Sequence, residues 1–199
     1  MSFIEEIKKR AKEQIKTIIL PEAEDIRVLK ATEKILNEKY AKIILIGKEE
    51  KIQQKAKTEN INIGEAKIVD PEKSEDHDTY VNLLYELRKH KGMTIEKAKE
   101  LVLDPVYYGM LMVKDNKADG LVSGAIHSTS DTLRPALQIL RTAPDTKLVS
   151  AFFVMVVPDC EYGENGVFIF GDSGLNENPN PDQLSEIAIS SSKSFKQLV

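Results

Sequence analysis

The sequence is poor in the residues that support several common kinds of site. It has one cysteine, Cys160, so no disulfide can form within the chain, and a single thiol is typical of a reducing compartment. Asp and Glu outnumber Lys and Arg by 32 to 28, and the formal net charge of −4 argues against nucleic acid as the main partner. No apolar stretch approaches the roughly 20 residues that a membrane helix needs.

Other absences exclude further kinds of site and further classes of protein. The three histidines, His77, His90 and His127, have no metal-ligand spacing, so we expect no metal site. No strand is followed by G-x-G-x-x-G, which disfavours a nicotinamide dehydrogenase. The amphipathic residues 1–16 contain acidic side chains and no apolar core segment, so they predict neither a secretory signal nor a transit peptide. With no repeat or low-complexity tract, the sequence predicts a cytoplasmic globular protein.

What the chain does contain is an alternation of short apolar runs and amphipathic segments. Such alternation predicts an α/β fold with a mostly parallel sheet and right-handed crossovers. The predicted strands are 17–20, 41–47, 66–70 and 118–125. The predicted helices between and after them are 24–40, 48–58, 77–90, 94–103, 105–115 and 132–142.

The alternation of short apolar runs and amphipathic segments ends near position 147. Two long apolar runs, 147–157 and 166–174, flank a turn-rich connection and predict a hairpin or an adjacent pair of strands. A helix is expected to start at Asn180, with Pro181 first and Gln183 three residues after the cap. The sequence therefore predicts a first α/β domain over 1–147 and the start of a second over 148–199. Since two strands and a helix cannot cover a sheet, this second part either packs on the first or continues in a longer chain.

The most polar strand-to-helix junction is "SGAIHSTSDTLR", residues 123–134. In parallel sheets, ligands bind beyond the carboxyl ends of strands, where free backbone N–H groups at a helix start attract anions. Because proline is tolerated in the first helical turn, Pro135 predicts Thr132 as the N-cap. That register puts Arg134 at the positive end of the helix dipole, an unfavourable place that a bound phosphate would compensate.

A plainer interpretation of the junction is also open. The hydroxyls are common at helix caps, and Asp131 can pair locally with Arg134. His127, taken by itself, is more typical of a surface or packing histidine. The residues alone do not choose between a cap and an anion site.

Several longer motifs carry a family resemblance. "ADGLVSGAIHSTSDTLRPALQILRT" looks like the signature of the phosphate acetyltransferases (phosphotransacetylases), and "VPDCEYGENGVFIFGDSGLNENPNPDQLSEIAISSSKSF" is similar to the segment that follows it there. "ILPEAEDIRVLKA" and "ELRKHKGMTIEKAKE" resemble earlier segments of the same family. The similarity runs from about residue 17 to the end of the chain.

The resemblance implies a two-domain α/β fold like that of isocitrate and isopropylmalate dehydrogenases, here with the second domain incomplete. It also implies a reversible reaction in which acetyl phosphate and coenzyme A give acetyl-CoA and phosphate. In that family the CoA thiolate is taken to attack the acetyl carbonyl directly in a ternary complex. Coenzyme A is then a substrate, no cofactor or metal is needed, and a homodimer is expected.

Carried over by residue, the resemblance assigns roles at four positions. Arg134 is expected to bind and activate the acyl phosphate, and Arg88 to meet the CoA phosphates, although its neighbours "RKHK" also suit a solvated helix charge. Ser128 and Thr129 are candidate phosphate ligands, with helix capping as the alternative.

Two residues of the second part have weaker assignments. Cys160 has no adjacent histidine or lysine in sequence, and the ternary mechanism gives it no nucleophilic duty, so we interpret it as structural. Asp172 ends a strand at an edge that could face a ligand, and turn chemistry explains it equally well.

The main departure from the family is length. Family chains continue beyond "KSFKQLV", and that later part carries a serine–arginine pair and the aspartate credited with deprotonating the thiol. The 199 residues are therefore expected to lack this base and to have little activity alone. Two alternatives stay open: a phosphate butyryltransferase, and a non-catalytic module that senses acyl phosphate or CoA.

Overall fold

The computed structural model describes residues 2–144 and 146–199. Contacts divide the chain into two compact units, one of Ala11–Arg141 and one that joins the residues up to Arg10 with Thr142–Val199. These units differ from the predicted domains, 1–147 and 148–199, by the first ten residues and a few residues at the boundary. The division into domains stays a prediction.

The larger unit contains one parallel sheet of four strands in the order β3-β2-β1-β4. Its strands are β1 (Lys16–Leu20), β2 (Ala41–Ile46), β3 (Lys67–Val69) and β4 (Gly120–Leu121). In the register of the sheet, Ile19 lies between Ile44 of β2 and Leu121 of β4. The prediction of an α/β fold with a parallel sheet is confirmed.

Helices cover both faces of this sheet, as a parallel sheet requires. The helices from the N-terminus to residue 139 are α1 (Phe3–Glu13), α2 (Ile26–Glu38), α3 (Glu49–Thr58), α4 (His77–Arg88), α5 (Ile95–Val102), α6 (Pro105–Lys114) and α7 (Thr129–Ile139). Because side chains alternate along a strand, Ile19 and Ile44 face the core with α4–α7, while Leu20 and Ile43 face the core with α2 and α3.

The smaller unit is built on an antiparallel pair, β5 (Phe152–Val156) and β6 (Val167–Gly171), which confirms the predicted adjacent strands. It ends with α8 (Pro181–Leu198). The predicted start of α8 is also confirmed, since Asn180 and Gln183 form a reciprocal capping box. None of the helices in the described residues is long and apolar enough to cross a membrane.

Strand β4 is much shorter than the predicted strand over 118–125. It has only Gly120 and Leu121, because the backbone N–H groups from Gly124 to His127 point to a side chain instead of a neighbouring strand. The chain leaves the sheet here and forms a loop before α7.

Helix α6 packs closely on the sheet at Gly109. A Cβ atom at this position would lie 2.5 Å from Leu121 Cδ1 and 3.1 Å from Ile19 Cγ2. We expect Gly109→Ala to lower the free energy of unfolding by about 1 to 3 kcal/mol, because overpacking outweighs the gain in helix propensity.

Gly120→Ala is a matched control, since its Cβ would make an ordinary contact at 3.7 Å with Ile18 Cδ1. It should change stability by no more than about 0.5 kcal/mol. Urea titration of both variants measures the difference, and equal stabilities would contradict the close approach of α6.

Candidate functional site at the ends of strands 1 and 4

The candidate site lies where the sheet reverses its strand order. From β1 the chain moves outward through β2 to β3, and it then returns to place β4 on the other side of β1. In open parallel sheets, ligands bind in the crevice at the carboxyl ends of two such strands. Here that position is occupied by the loops 21–25 and 122–128.

Glu22, in the first of these loops, binds the second loop through its carboxylate. Glu22 Oε2 accepts hydrogen bonds from the backbone N–H groups of Gly124 (2.9 Å) and Ala125 (2.8 Å). Glu22 Oε1 accepts from the backbone of Ile126 (2.7 Å) and His127 (2.8 Å). Only 4 % of Glu22 is exposed. A buried charge is costly unless it is hydrogen-bonded, and the four amide N–H groups offset that cost here. Gly124 has φ +122°, a conformation that other residues rarely adopt.

The N–H groups from Gly124 to His127 are therefore not free for an anionic ligand. A side chain of the protein already occupies them, which the sequence argument did not consider. The prediction of free N–H groups concerned the start of the helix. There, in the first turn of α7, the N–H groups of Thr129 and Ser130 have no hydrogen-bond acceptor among the described residues, and anion binding by them stays a prediction.

The same carboxylate also fixes the ring of His127. His127 Nδ1 lies 2.9 Å from Glu22 Oε1. Burial raises the pKa of the Glu22 carboxyl, but the hydrogen bonds from Ile126, His127 and Ala125 outweigh burial and lower it to about 2. An ionised carboxylate cannot donate, so Nδ1 of His127 carries the proton in this contact.

Arg27 holds the loop from its carbonyl side. Its Nη2 donates to the carbonyl oxygen of Ala125 at 2.5 Å and to Asp25 Oδ2 at 2.7 Å. Asp25 is the N-cap of α2, and its pKa is lowered to about 2, mainly by the hydrogen bond from the Arg27 side chain. The N–H groups of the loop backbone are thus held by Glu22, in the turn after β1, and one of its carbonyl groups by Arg27, in the first turn of α2.

The start of α7 differs from the prediction. Its N-cap is Ser128, not Thr132, and Ser128 forms a capping box with Asp131. Pro135 therefore lies inside the helix, where it cannot donate to the carbonyl of Asp131, and Arg134 lies in the second turn. The argument that Arg134 opposes the helix dipole at the first turn was wrong. The S-x-x-D spacing is a capping-box signal that the proline rule obscured.

This register can be tested by removing each hydroxyl. We expect Ser128→Ala to lower the free energy of unfolding by about 1 kcal/mol, because the N–H of Asp131 loses its cap. Thr132→Ala should cost no more than about 0.5 kcal/mol, since Thr132 makes only a 3.5 Å contact with Ser123 Oγ. The reverse order in thermal or urea unfolding would restore Thr132 as the cap.

The two predicted arginines lie within electrostatic range of one phenol. Arg134 is exposed on α7, and Arg88 is half-buried in the last turn of α4. Burial raises the pKa of Tyr107, and the positive charges of Arg134 and Arg88 oppose that rise. The Tyr107 hydroxyl donates to Gln138 Oε1 (3.0 Å), one turn after Arg134. Among the described residues, neither arginine side chain has a hydrogen-bond or ion-pair partner.

A cavity of about 640 Å³ opens beside α2, on the face of the sheet that packs against α2 and α3 and not on the face that packs against α7. Its walls are mostly apolar, with Ile18, Ile43 and Val28 among them, and Glu22 and Arg27 lie at its edge. Arg134 and the hydroxyls of α7 do not line it. The described residues contain no group of three or more ligands for a metal ion, and the expectation that no metal is needed stays a prediction.

Comparison with known proteins agrees with the motifs. A family model described as phosphate acetyl/butaryl transferase matches residues 2–199. The chain belongs to this family. It is 59 % identical over 199 residues to the phosphate acetyltransferase of Acetivibrio thermocellus and 50 % identical over 198 residues to that of Clostridium acetobutylicum. It spans all of its own length in both alignments but only 59 % and 60 % of these relatives.

Solved structures of this transferase family are similar as well. The EutD phosphotransacetylase from Staphylococcus aureus superposes with a TM-score of 0.88 at 38 % identity, covering 98 % of this chain and 57 % of that one. A phosphotransacetylase from Streptococcus pyogenes gives a TM-score of 0.88 at 31 % identity and covers 98 % and 58 %. The predicted resemblance is confirmed over the whole chain.

In this member of the phosphate acetyl/butaryl transferase family, the predicted residues fall into both units. Ser128, Thr129, Arg134 and Arg88 belong to the larger unit, and Cys160 to the smaller one. Cys160 is half-buried, with Sγ 4.0 Å from the carbonyl oxygen of Tyr162.

The structure adds detail on Asp172, which the sequence had already singled out, and brings out two further residues of the family motifs. Asp172 has a left-handed backbone, and its buried Oδ1 has no hydrogen-bond partner in the described residues. Glu22 and Arg27 were not singled out from the sequence, although "PEAEDIR" directly follows a strand. Their position at the end of β1 was the available signal.

Proposed function

We propose that this chain provides the acyl phosphate side of a phosphate acetyltransferase site. The reaction is the transfer of an acetyl group between acetyl phosphate and coenzyme A. The observation that carries the proposal is the arrangement at the start of α7: two unpaired N–H groups, the hydroxyl of Thr129 and the unpartnered Arg134 follow the strand-reversal point in a chain of this family. The Ser128 hydroxyl donates to Asp131 Oδ2 (2.7 Å), so it can donate to a phosphate only by leaving that bond.

Each group matches a need of the chemistry. A phosphate dianion binds to helix N-terminal amides and to a guanidinium, whose planar donors suit two phosphate oxygens. The thiolate sulfur attacks the acetyl carbon, a C–S bond forms, and the bond from carbon to the phosphate oxygen breaks. Arg134 stabilises the negative charge that collects on the leaving phosphate. Arg88, whose charge also acts on Tyr107, is assigned to the phosphates of coenzyme A.

The carboxylates beside α7 do not serve as the base for the thiol. Glu22 is buried in backbone hydrogen bonds, and hydrogen bonds from Ser128 lower the pKa of Asp131. A general base works best with a pKa near the operating pH, which neither group has. We therefore assign no base within the described part of this site.

We further propose the role of coenzyme A, the location of the protein and its assembly. Coenzyme A is a substrate, no cofactor or metal takes part, and the protein is proposed to be a cytoplasmic homodimer.

The test is acetyl-CoA formation from acetyl phosphate and coenzyme A by the 199-residue chain, followed by thioester absorbance, with butyryl phosphate as the parallel donor. Faster turnover of acetyl phosphate supports the proposal. Faster turnover of butyryl phosphate favours a butyryltransferase. Saturable binding without turnover by the 199 residues also fits the proposal, since no base is assigned here. The same result in a chain that also carries the family's later motifs favours a sensing module, and no binding of either substrate contradicts all three.

A further inference from the structure

The buried carboxylate of Glu22 binds four consecutive backbone amides of another loop and thereby fixes the path of that loop. The loop Gly124–His127 has no strand partner of its own, so Glu22 supplies the hydrogen bonds that fix its path. Without Glu22 these N–H groups would be partly buried and unpaired, at a cost that favours rearrangement of the loop.

The path of this loop decides where α7 begins. Ser128, the N-cap, directly follows His127, and its φ and ψ of −70° and 163° continue the extended backbone into the helix. The unpaired amides of Thr129 and Ser130 come next. A shift of the loop therefore moves the first-turn amides and hydroxyls relative to Arg134, whose position is set by the packing of Pro135 and Ile139 in the core.

Arg27 acts on the same loop from the other side. It bridges the carbonyl of Ala125 and the carboxylate of Asp25, which is tied to the start of α2. Glu22 lies in the loop after β1 and Arg27 in the first turn of α2, so the segment that joins β1 to α2 determines the geometry of the loop after β4.

We infer that Glu22 and Arg27 are positioning residues for anion binding at the start of α7. This inference rests on the proposed function for the identity of the anion, a phosphate or acyl phosphate. Neither side chain needs to touch it: Glu22 is negative and buried, and its oxygens are fully used by the loop. Their effect is exerted through the position of Ser128 and the amides that follow it.

The variant that tests Glu22 is Glu22→Gln. Glutamine has nearly the same shape, but its NH₂ group would face two N–H donors that the second carboxylate oxygen now accepts. Misplacing a binding group by about 1 Å is costly, so we expect the Kd for inorganic phosphate to rise at least about tenfold. The Kd for coenzyme A, assigned largely to Arg88, should change less than about twofold on the same reasoning.

Arg27→Met is the second variant, because the Arg27 side chain is 66 % exposed and its loss does not threaten the core. It should weaken phosphate binding in the same direction by a smaller factor. Glu24→Gln is the matched control: Glu24 lies in the same turn, with an exposed side chain 3.9 Å from Lys51, and its replacement should leave both Kd values unchanged.

The experiment is calorimetric titration of the folded chain and its variants with inorganic phosphate and, separately, with coenzyme A. Selective weakening of phosphate binding in both positioning variants supports the inference. Equal loss of both ligands, matched by a loss of folded protein, would indicate a purely structural role and overturn it.

Two further results also count against it. If Arg27→Met binds phosphate as the wild type does, or if the wild type shows no saturable phosphate binding, the inference is overturned. The proposed function is scored separately: a wild type that binds phosphate but turns over butyryl phosphate faster than acetyl phosphate contradicts the proposed function and leaves the positioning result standing.

Discussion

Replacing Arg134 with alanine is expected to lower kcat/KM for acetyl phosphate by about 100-fold or more. The guanidinium is exposed on the second turn of α7 and has no protein partner among the described residues, so its removal takes away a substrate contact and little else. Thermal unfolding should therefore change little. The measurement is the initial rate of acetyl-CoA formation as a function of acetyl phosphate concentration.

Two comparisons sharpen this result. Arg134→Lys keeps the charge but loses the planar pair of donors, so we expect it to recover only part of the activity. Lys114→Ala removes another exposed cation, in the last turn of α6, and should leave kcat/KM unchanged. An Arg134→Ala variant as active as the wild type would remove Arg134 from the site.

Replacing Glu22 with glutamine is expected to flatten the dependence of stability on pH. The pKa of Glu22 falls from its ordinary value of 4.5 to about 2 on folding. A lowered pKa stabilises the fold above the unfolded pKa, and this stabilisation is lost as pH falls through the folded pKa. Between pH 6 and pH 2, the wild type should lose about 3 kcal/mol more unfolding free energy than the variant does.

Urea titrations at a series of pH values measure this difference. The exposed Glu24→Gln is again the control, and its curve should run parallel to that of the wild type. Parallel curves for Glu22→Gln and the wild type would show that Glu22 does not bind the loop as an anion.

The sheet and most helices could be predicted from the sequence because their signals are local. "AKIILIG" and "TIIL" are apolar runs closed by turn residues, and both form strands within a residue of the expected bounds. The start of α8 was equally readable, since Asn180, Pro181 and Gln183 form a complete cap signal.

The failures involve interactions between distant parts of the chain. The predicted strand over 118–125 is cut short by Glu22, about a hundred residues earlier in sequence, and no local pattern reports that bond. The start of α7 was misplaced because one local rule, on Pro135, was given more weight than the capping box of Ser128 and Asp131.

The sequence pointed to some residues of the candidate site and missed others. The family resemblance drew attention to Arg134, Arg88, Ser128 and Thr129, and the structure puts Ser128 and Thr129 at one helix start and both arginines within range of Tyr107. Their roles stay predictions. Glu22 and Arg27 could not be assigned a role from sequence, because their function depends on the adjacency of β1 and β4.

The central claim is that an acyl phosphate binds at the start of α7, beside the ends of β1 and β4. Its most direct test is to titrate the isotope-labelled chain with acetyl phosphate and follow each amide and arginine side-chain resonance by NMR. The account predicts the largest saturable shifts at the amides of Thr129 and Ser130 and at the guanidinium of Arg134. Shifts confined instead to the cavity of about 530 Å³ that contains Lys67, Lys73 and Lys117 would contradict it.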